Sequence, residues 1–511
     1  MARYSAEQIG FIKDRSRVVV GNCKAGSGKT TVLRGYAKHN PQERILYLVF
    51  GRANRDEAIR KFPDNTTVLT CNQLAFQYCG HEIQHKLSAS LRLRDIKDFL
   101  GIGDWGVVKK VMEGVQAFMA SADDAPSDQH CDGNAGIVEL VFRVWKAMAD
   151  PRSSFPATHD VYLKQFQLQN LDLSVLFDTV LLDEFQDTNP VTARIVLNQT
   201  KCKLRLVGDQ FQQMYRFRGA VNAVGLIEHL NPSFHHLTTS YRFGPAIADL
   251  ANKLLWHLGN EHPLKGLPSI NSMVVSRLDP LPSHYTCLQR TVAGTIEAAL
   301  ACAKSQKTMH WVGGIKSYNI DDMLDIYFLS KDEHSSIKNK RILKEYSNFY
   351  QYRVAASESG DHEMGRNVRI IDDYPNLQAD IETIHRFTVP SARDADVILT
   401  TVHRAKGMEW PVVRLSDDFL ELFNADLGDL KVIDELNLAY VAVTRAINVL
   451  ELNTQIQVLL SLHNEEVSIF ERREELFSSG MGASAKTTSR KRSMYNLPRN
   501  PFSRNRGRGR Y

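Results

Sequence analysis

The sequence has no apolar run long enough to cross a membrane. Its hydrophobic stretches fall short of the roughly 18 to 20 residues that a transmembrane helix needs. The first residues, MARYSAEQIGFIKDRS, also lack the apolar core of a secretory signal peptide. We therefore expect a soluble protein of a reducing compartment that has no membrane partner.

Cysteine is scarce and shows no metal-binding spacing. The 511 residues include seven cysteines, and no two of them form a C-x-x-C pair. Such pairs are typical of zinc sites and of thioredoxin-like redox sites. The sequence therefore predicts scattered reduced thiols, at Cys23, Cys71, Cys79, Cys131, Cys202, Cys287 and Cys302.

Acidic residues are absent from the end of the chain. Residues 481–511 carry nine Lys or Arg among Ser, Asn, Gly and Pro, although the whole chain has a net charge of only +5. The remainder of the chain is therefore net negative. The composition predicts a disordered basic tail over 478–511, which can either bind phosphates loosely or only improve solubility.

A glycine-rich loop follows the first predicted strand. Val18–Val20 form a β-branched run typical of a buried parallel strand, and the sequence AGSGKTT comes next, before a helical pattern. This order predicts a P-loop, with Lys29 on the β- and γ-phosphates and Thr30 on magnesium. The predicted phosphate-binding residues are Ala25, Gly26, Ser27, Gly28, Lys29, Thr30 and Thr31.

A second predicted strand ends in two carboxylates. In FDTVLLDEFQD (177–187), apolar residues lead to Asp183 and Glu184. Ligands bind at the carboxyl ends of parallel strands. We therefore expect Asp183 to hold magnesium and Glu184 to polarise the water that attacks the γ-phosphate.

A third strand leads into an unusual loop, LVGDQFQQMYRFRGAV (206–221). Its glutamines can contact a phosphate, and its rings can stack on nucleic-acid bases. Together with the first two, this strand belongs to a predicted parallel sheet with strands near residues 17, 45, 67, 179 and 204.

Six motifs in a fixed order resemble the superfamily 1 DNA helicases of the UvrD, Rep and PcrA group. They are AGSGKTT, LLDEFQD, VGDQFQQMYRFRGA, SYRF (240–243), TVHRAKGMEW (401–410) and LAYVAVTRA (438–446). The sequence looks most like the F-box DNA helicase branch, through FRGAVNAV, SYRFGPAIA and HWVGGIKSYNIDDMLDIYFL (310–329). Because the P-loop begins within the first 30 residues, we expect no F-box and transfer no ubiquitin-ligase function.

The resemblance implies an ATP site that two motor lobes share. Gln8 would read the adenine, Tyr241 would stack on it, and Glu409 would hold the ribose. Gln212 would sense the γ-phosphate, while Arg242 and Arg445 would approach it from the second lobe as arginine fingers. The implied ligands are ATP and Mg²⁺, and the implied catalytic residues are Lys29, Glu184, Gln212, Arg242 and Arg445.

The resemblance also implies a path for single-stranded DNA. One loop that touches the γ-phosphate through Gln212 and DNA through its rings would couple hydrolysis to strand movement. Asn72 stands where the family usually has histidine, and its amide can still donate to a phosphate. The implied DNA-binding residues are Phe50, Thr70, Asn72, Tyr215, Phe217, Arg218, Thr401 and His403.

The expected fold is α/β, with two RecA-like P-loop lobes in which helices flank a parallel sheet. We place the first lobe at 1–80 and 172–224, with a helical insertion at 81–171. The second lobe is expected at 225–344 and 395–477, with a reduced insertion at 345–394. The apolar segment DIYFL (325–329) is expected to be a strand of the second lobe.

The implied activity is that of an ATP-dependent DNA helicase or translocase, moving 3′ to 5′ on single strands as a monomer. It would act at single/double-strand junctions in DNA repair or control of recombination, with RecA-type recombinase filaments as candidate partners. Its location would be the nucleoid in a bacterium or phage and the nucleus in a eukaryote. The alternative is a nucleic-acid-stimulated ATPase switch of a mobile-element or defence system, which does not unwind.

Overall fold

The chain folds into two compact units that divide between Arg242 and Phe243. The computed structural model describes residues 4–88, 90–214, 227–359 and 362–479. Each unit is built on a six-stranded sheet, and the recorded strand pairs are parallel. The expected α/β class, with two parallel sheets and flanking helices, is confirmed.

The first sheet contains the five predicted strands and one more. Its strands are β1 (Val18–Cys23), β2 (Ile45–Val49), β3 (Thr66–Thr70), β4 (Thr179–Leu182), β5 (Lys203–Gly208) and β6 (Ser233–Leu237). They lie in the order β3–β2–β4–β5–β1–β6. Strands β2 and β4 are buried throughout, as their continuous apolar sequences predict.

The predicted start of the second lobe at residue 225 is wrong. Strand β6 belongs to the first sheet, where it pairs with β1 and places Leu237 opposite Cys23. Its sequence, SFHHL, is half-buried and largely polar, so it gives no apolar-strand signal. The first unit consequently extends to Arg242.

Helices surround the first sheet and fill the segment between β3 and β4. They are α1 (Ala6–Lys13), α2 (Lys29–His39), α3 (Arg52–Lys61), α4 (Cys71–Ala75), α5 (His81–Ile83), α6 (Leu93–Leu100), α7 (Trp105–Ala120), α8 (Ala135–Ala149), α9 (His159–Gln169) and α10 (Pro190–Leu197). Apolar residues of α7, α8 and α9 join those of β4 and β5 in one continuous core.

Two buried lysines hold the ends of α7 and α8. Lys164 Nζ donates to the carbonyls of Ser121 and Asp123, just beyond α7, at 2.9 and 2.5 Å. Lys86 Nζ donates to the carbonyl of Ala147, in the last turn of α8, at 2.9 Å. The last carbonyls of a helix lack intrahelical partners and carry partial negative charge, which a cation stabilises.

The second sheet has the order β7–β12–β11–β8–β10–β9. Its strands are β7 (Met273–Val275), β8 (Tyr285–Gln289), β9 (Met309–Trp311), β10 (Val397–Thr401), β11 (Trp410–Leu415) and β12 (Ala446–Glu451). The helices of this unit are α11 (Pro245–His257), α12 (Val292–Lys304), α13 (Ile320–Ser330), α14 (Lys340–Glu345), α15 (Phe349–Ser359), α16 (His362–Asp373), α17 (Leu377–Phe387), α18 (Asp429–Val443), α19 (Thr454–Asn464) and α20 (Ile469–Ser478).

The predicted strand at 325–329 is wrong, because this segment lies in α13. Ile320, Met323 and Tyr327 are buried at helical spacing, a period that extends beyond the five apolar-looking residues. Asp325 is also buried, and its carboxylate accepts from the N–H groups of Lys338 and Asn339 at 2.9 and 2.7 Å. The predicted basic tail lies outside the described residues from residue 480 onward.

None of the described helices is both long and apolar enough to span a membrane.

A buried histidine makes the second unit sensitive to acid. His257 Nδ1 accepts a hydrogen bond from the Ile469 N–H at 3.2 Å, which fixes the start of α20. Burial, with a smaller contribution from the neighbouring His463, lowers the pKa of His257 to about 4. The ring is therefore neutral in the folded state at pH values where the unfolded chain is protonated.

We expect the second unit to lose stability as the pH falls from 6.5 to about 4, since only the unfolded state binds the proton there. A pKa shift of this size lowers the free energy of unfolding by up to roughly 3 kcal/mol. Hydrogen exchange of α11 and α20 amides at pH 7 and pH 5, corrected for intrinsic rates, measures it. His257→Gln, whose amide oxygen can accept from Ile469, should lose this pH dependence; an unchanged dependence contradicts the assignment.

Candidate functional site

The loop between β1 and α2 is shaped to surround an anion. Gly26 and Gly28 adopt φ values of 74° and 87°, which turn the backbone around the start of α2. The hydroxyl of Ser27 is buried in this loop without a hydrogen-bond partner. A helix N-terminus provides free N–H groups and a favourable dipole, so the loop fits a phosphate group.

Two carboxylates from the end of β4 meet the first residues of α2. Lys29 Nζ lies 3.0 Å from Glu184 Oε2, and Thr30 Oγ1 donates to Asp183 Oδ2 at 3.0 Å. Tyr47 on β2 donates its hydroxyl to the same Asp183 oxygen, also at 3.0 Å. Glu184 adopts φ 50°, a strained value for a residue with a Cβ, and this turn directs its carboxylate to Lys29.

Burial and neighbouring charges change the pKa values of this group. Burial alone would lower the pKa of Lys29, but Glu184, Asp183 and Asp209 outweigh it, and the pKa is raised. The pKa of Asp183 is also raised, first by burial and then by Glu184. Lys29 is therefore a permanent cation, while Asp183 is more easily protonated than an exposed aspartate. A divalent cation beside Thr30 and Asp183 would favour the charged carboxylate.

The turn after β5 is connected to Glu184 by side-chain amides. Gln186 donates to Glu184 Oε2 at 2.5 Å and accepts from the Asp209 N–H at 3.0 Å. Gln212, the predicted phosphate sensor, is buried and donates to Asp209 Oδ2 at 2.8 Å. Gln213 donates to the carbonyl of Gln186 at 3.1 Å. The predicted base and the predicted sensor therefore belong to one hydrogen-bonded network.

Gln8 lies against the P-loop. Its Nε2 donates to the Ser27 carbonyl at 3.1 Å, and its Oε1 accepts from the Ser5 N–H at 3.1 Å, within the cap of α1. A primary amide has a second N–H and a second lone pair, so one donor and one acceptor are left over from these two bonds. That pair matches the edge of an adenine.

Tyr241 and Arg242 also lie beside the P-loop. The Tyr241 N–H donates to the Gly26 carbonyl at 2.8 Å, and the residue is 42% exposed. A Cβ on Gly26 would lie 2.9 Å from the Arg242 Cβ. The expectation that Arg242 comes from the second lobe is wrong, because β6 carries this segment along the edge of the first sheet.

The remaining predicted nucleotide-binding residues lie in the second unit. The Arg445 guanidinium is buried and donates to the carbonyls of Val441 and Met408 at 2.9 and 3.1 Å. Glu409 is exposed in the turn before β11. In this arrangement Arg445 is anchored to its own unit, and phosphate binding would require it to redirect part of the guanidinium.

The predicted DNA-binding residues divide between the two units. Phe50 follows β2 and Thr70 ends β3, and these ends are adjacent because Val49 pairs with Thr70. Phe50 is 38% exposed, and Asn72 lies half-buried in the first turn of α4. The Thr70 hydroxyl accepts from the Gln73 N–H at 3.1 Å as the cap of α4, which leaves its proton to donate.

In the second unit, Thr401 ends β10 and is buried, and His403 lies half-buried in the loop that follows. Tyr215, Phe217 and Arg218 lie outside the described residues.

Sequence reasoning missed three residues of the network. Tyr47 resembles any buried strand residue, and only the pairing of β2 with β4 brings its hydroxyl to Asp183. Gln186 and Asp209 stand within quoted motifs, and their polar side chains at strand ends were the available signal. Their roles depend on the alignment of β4 with β5.

A P-loop whose lysine and threonine meet an acidic pair from a neighbouring parallel strand defines a P-loop nucleotide-binding protein. Comparison with protein families refines this class. Residues 145–234 match the UvrD/REP helicase N-terminal domain, and residues 385–455 match the UvrD-like helicase C-terminal domain. The chain is therefore similar to both the N-terminal and the C-terminal domain of the UvrD-like helicases.

Individual relatives match much more of the chain. F-box DNA helicase 1 of Gallus gallus is 29% identical over 92% of this chain and 51% of that protein. F-box DNA helicase protein 1 of Schizosaccharomyces pombe is 27% identical over 86% of this chain and 56% of that protein. This chain therefore spans about half the length of these two relatives. Gabija protein GajB of Bacillus cereus is 25% identical over 86% of this chain and 93% of that protein.

The close packing at Gly26 predicts a selective loss of nucleotide binding in Gly26→Ala. The added Cβ would lie 2.3 Å from Ser240 Oγ as well as imposing a strained φ. Gly101→Ala is the matched control, because Gly101 has φ 67° and nothing within 4 Å of the added Cβ. Each variant should lose about 1 kcal/mol of stability from backbone strain, and Gly26→Ala should lose more because its Cβ also meets Ser240. Only Gly26→Ala should bind fluorescent ADP more weakly; equal affinities would contradict this role.

Proposed function

We propose that the chain is an ATP-dependent DNA helicase or translocase that uses Mg²⁺. The observation that carries the proposal is the meeting of Lys29 with Glu184 and of Thr30 with Asp183 at the mouth of the P-loop. The UvrD-like N- and C-terminal domains support a motor rather than a kinase or a switch GTPase. Because the chain spans about half of its F-box helicase relatives, their full activities are not transferred.

Lys29 would exchange its partner when ATP binds. Its ammonium forms an ion pair with Glu184, and the phosphates would attract it more strongly because they carry more charge. The exchange would release the Glu184 carboxylate, which could then accept a proton from the attacking water. Gln186 would keep that carboxylate oriented through its amide bond. Thr30 and Asp183 would hold the Mg²⁺, which neutralises charge on the β- and γ-phosphates when bound.

The hydrogen-bonded turn after β5 would respond to the presence of the γ-phosphate. Gln212 would contact the γ-phosphate, and Asp209 and Gln186 connect it to Glu184. Arg242 in the first unit and Arg445 in the second would stabilise the charge that develops during transfer.

Single-stranded DNA would bind at the carboxyl ends of the first sheet. The exposed Phe50 ring supports base stacking, and Thr70 and Asn72 supply donors for phosphates beside it. By resemblance, Thr401, His403, Tyr215, Phe217 and Arg218 would also contact the DNA. By resemblance, movement would be 3′ to 5′.

The first test is steady-state ATP hydrolysis with and without single-stranded DNA. We expect DNA to stimulate hydrolysis strongly in the unaltered chain. Lys29→Ala should lose both ATP binding and hydrolysis. Glu184→Gln should still bind ATP while kcat falls by about 10² to 10⁴, as for the loss of a general base. Equal binding losses in both variants would contradict the assigned roles.

An ATPase switch that does not unwind is the second candidate. This candidate is supported by the similarity to Gabija protein GajB, whose name does not describe a helicase. The matched region covers 93% of that protein. Separation of a partial duplex with a 3′ single-stranded tail distinguishes the two. DNA-stimulated hydrolysis with strand separation supports the helicase, whereas stimulation without separation or movement along the single strand supports the switch.

We further propose a role in recombination, because of the likeness to the F-box DNA helicases. The expected activity is ATP-dependent removal of a RecA-type recombinase from single-stranded DNA. Fluorescently labelled filaments should shorten with the unaltered chain and ATP, and should remain intact with Glu184→Gln. Filaments that survive saturating amounts of an otherwise active chain would contradict this role.

A further inference from the structure

The P-loop contains a second lysine, Lys24, that the proposed mechanism does not use. Its main chain belongs to the loop: the N–H donates to the Leu237 carbonyl at 3.0 Å, and the carbonyl accepts from the Ser27 N–H at 3.1 Å. Its side chain is only 1% exposed and reaches the turn after β5. There its Nζ lies 4.1 Å from the centre of the Phe211 ring.

Lys24 faces the two side chains that shape this turn. Besides contacting the Phe211 ring, its ammonium interacts electrostatically with the Asp209 carboxylate. Asp209 Oδ1 accepts from the Phe211 N–H at 3.2 Å, and its Oδ2 accepts from Gln212 at 2.8 Å. One buried cation thus joins the P-loop to the carboxylate that holds Gln212.

Burying the Lys24 ammonium is energetically unfavourable, so this residue is a poor choice if its side chain only fills space. Burial lowers the pKa of Lys24 to about 8, while Asp209 acts in the opposite direction. The side chain is therefore charged at neutral pH in surroundings that disfavour charge. Methionine has a similar length and could fill the same volume without desolvation. An ammonium here is better suited to orienting Asp209 and Phe211 than to packing.

We propose that Lys24 is a positioning residue that holds the turn 209–213 against the P-loop, and so sets Gln212 at the γ-phosphate position. This inference deepens the proposed function and rests on it. In this arrangement the turn has two attachments. Gln186 accepts from the Asp209 N–H, and the Lys24 ammonium lies on the Phe211 ring, where it attracts the Asp209 carboxylate. Loss of the cation would remove one of the interactions that orient Asp209, and with it Gln212.

The test compares Lys24→Met with Lys24→Arg in the full chain. Thermal unfolding first establishes that both variants are folded. Lys24→Met should bind ADP within about threefold of the unaltered chain but lose about tenfold in DNA-stimulated kcat, as expected for a misplaced transition-state contact. Its preference for the ATP analogue AMPPNP over ADP should fall in parallel. Lys24→Arg, which keeps the charge, should recover most of both quantities.

A second comparison does not require an arginine side chain to fit in the buried position of Lys24. If Lys24 acts through Asp209, then Lys24→Met should have little further effect in an Asp209→Asn background. Additive losses would contradict the proposal, and so would an unchanged kcat or an equal loss of ADP binding in Lys24→Met. Absence of hydrolysis in the unaltered chain would instead contradict the proposed function. In that case the ratio of AMPPNP to ADP affinity, compared between Lys24→Met and the unaltered chain, would still test the positioning role of Lys24.

Discussion

The ion pair between Lys29 and Glu184 is the interaction on which the rest of the site depends. A partly buried ammonium is unfavourable unless an opposite charge lies close to it, and Glu184 Oε2 lies 3.0 Å from Lys29 Nζ. The two residues are 155 positions apart, so the sheet must bring the ends of β1 and β4 to the same edge. Strand β5 lies between these strands and fixes their alignment through its pairing with both.

The same edge accounts for the remaining polar groups. Side chains that follow neighbouring parallel strands converge. In this chain they form hydrogen bonds with one another. Tyr47 and Thr30 donate to Asp183, while Gln186 joins Glu184 to Asp209. A nucleotide would therefore replace existing hydrogen bonds. Nucleotide binding would therefore change the ion-pair and hydrogen-bond partners of Glu184 and of the turn that holds Gln212.

Strand β6 shows how a weak sequence signal can govern a site. Its polar edge-strand sequence extends the first sheet beside β1, and the segment that follows is hydrogen-bonded to the P-loop. Thr238 is held by the carboxylate of Glu7 at 2.6 and 2.9 Å, and the Tyr241 N–H donates to Gly26. The predicted adenine-stacking ring and one predicted arginine finger are thereby attached to the unit that carries Lys29.

The sequence by itself determined the α/β class, five strands of the first sheet and the pairing of a P-loop with an acidic strand end. These features are local, because apolar runs, glycines at positive φ and carboxylates after strands occupy short segments. The tertiary structure alone decided that residues 233–242 belong to the first unit and that 325–329 is helical. It also brought Tyr47, Gln186 and Lys24 into the site. Those outcomes depend on strand order and register, which join residues far apart in the chain and leave no periodic pattern within it.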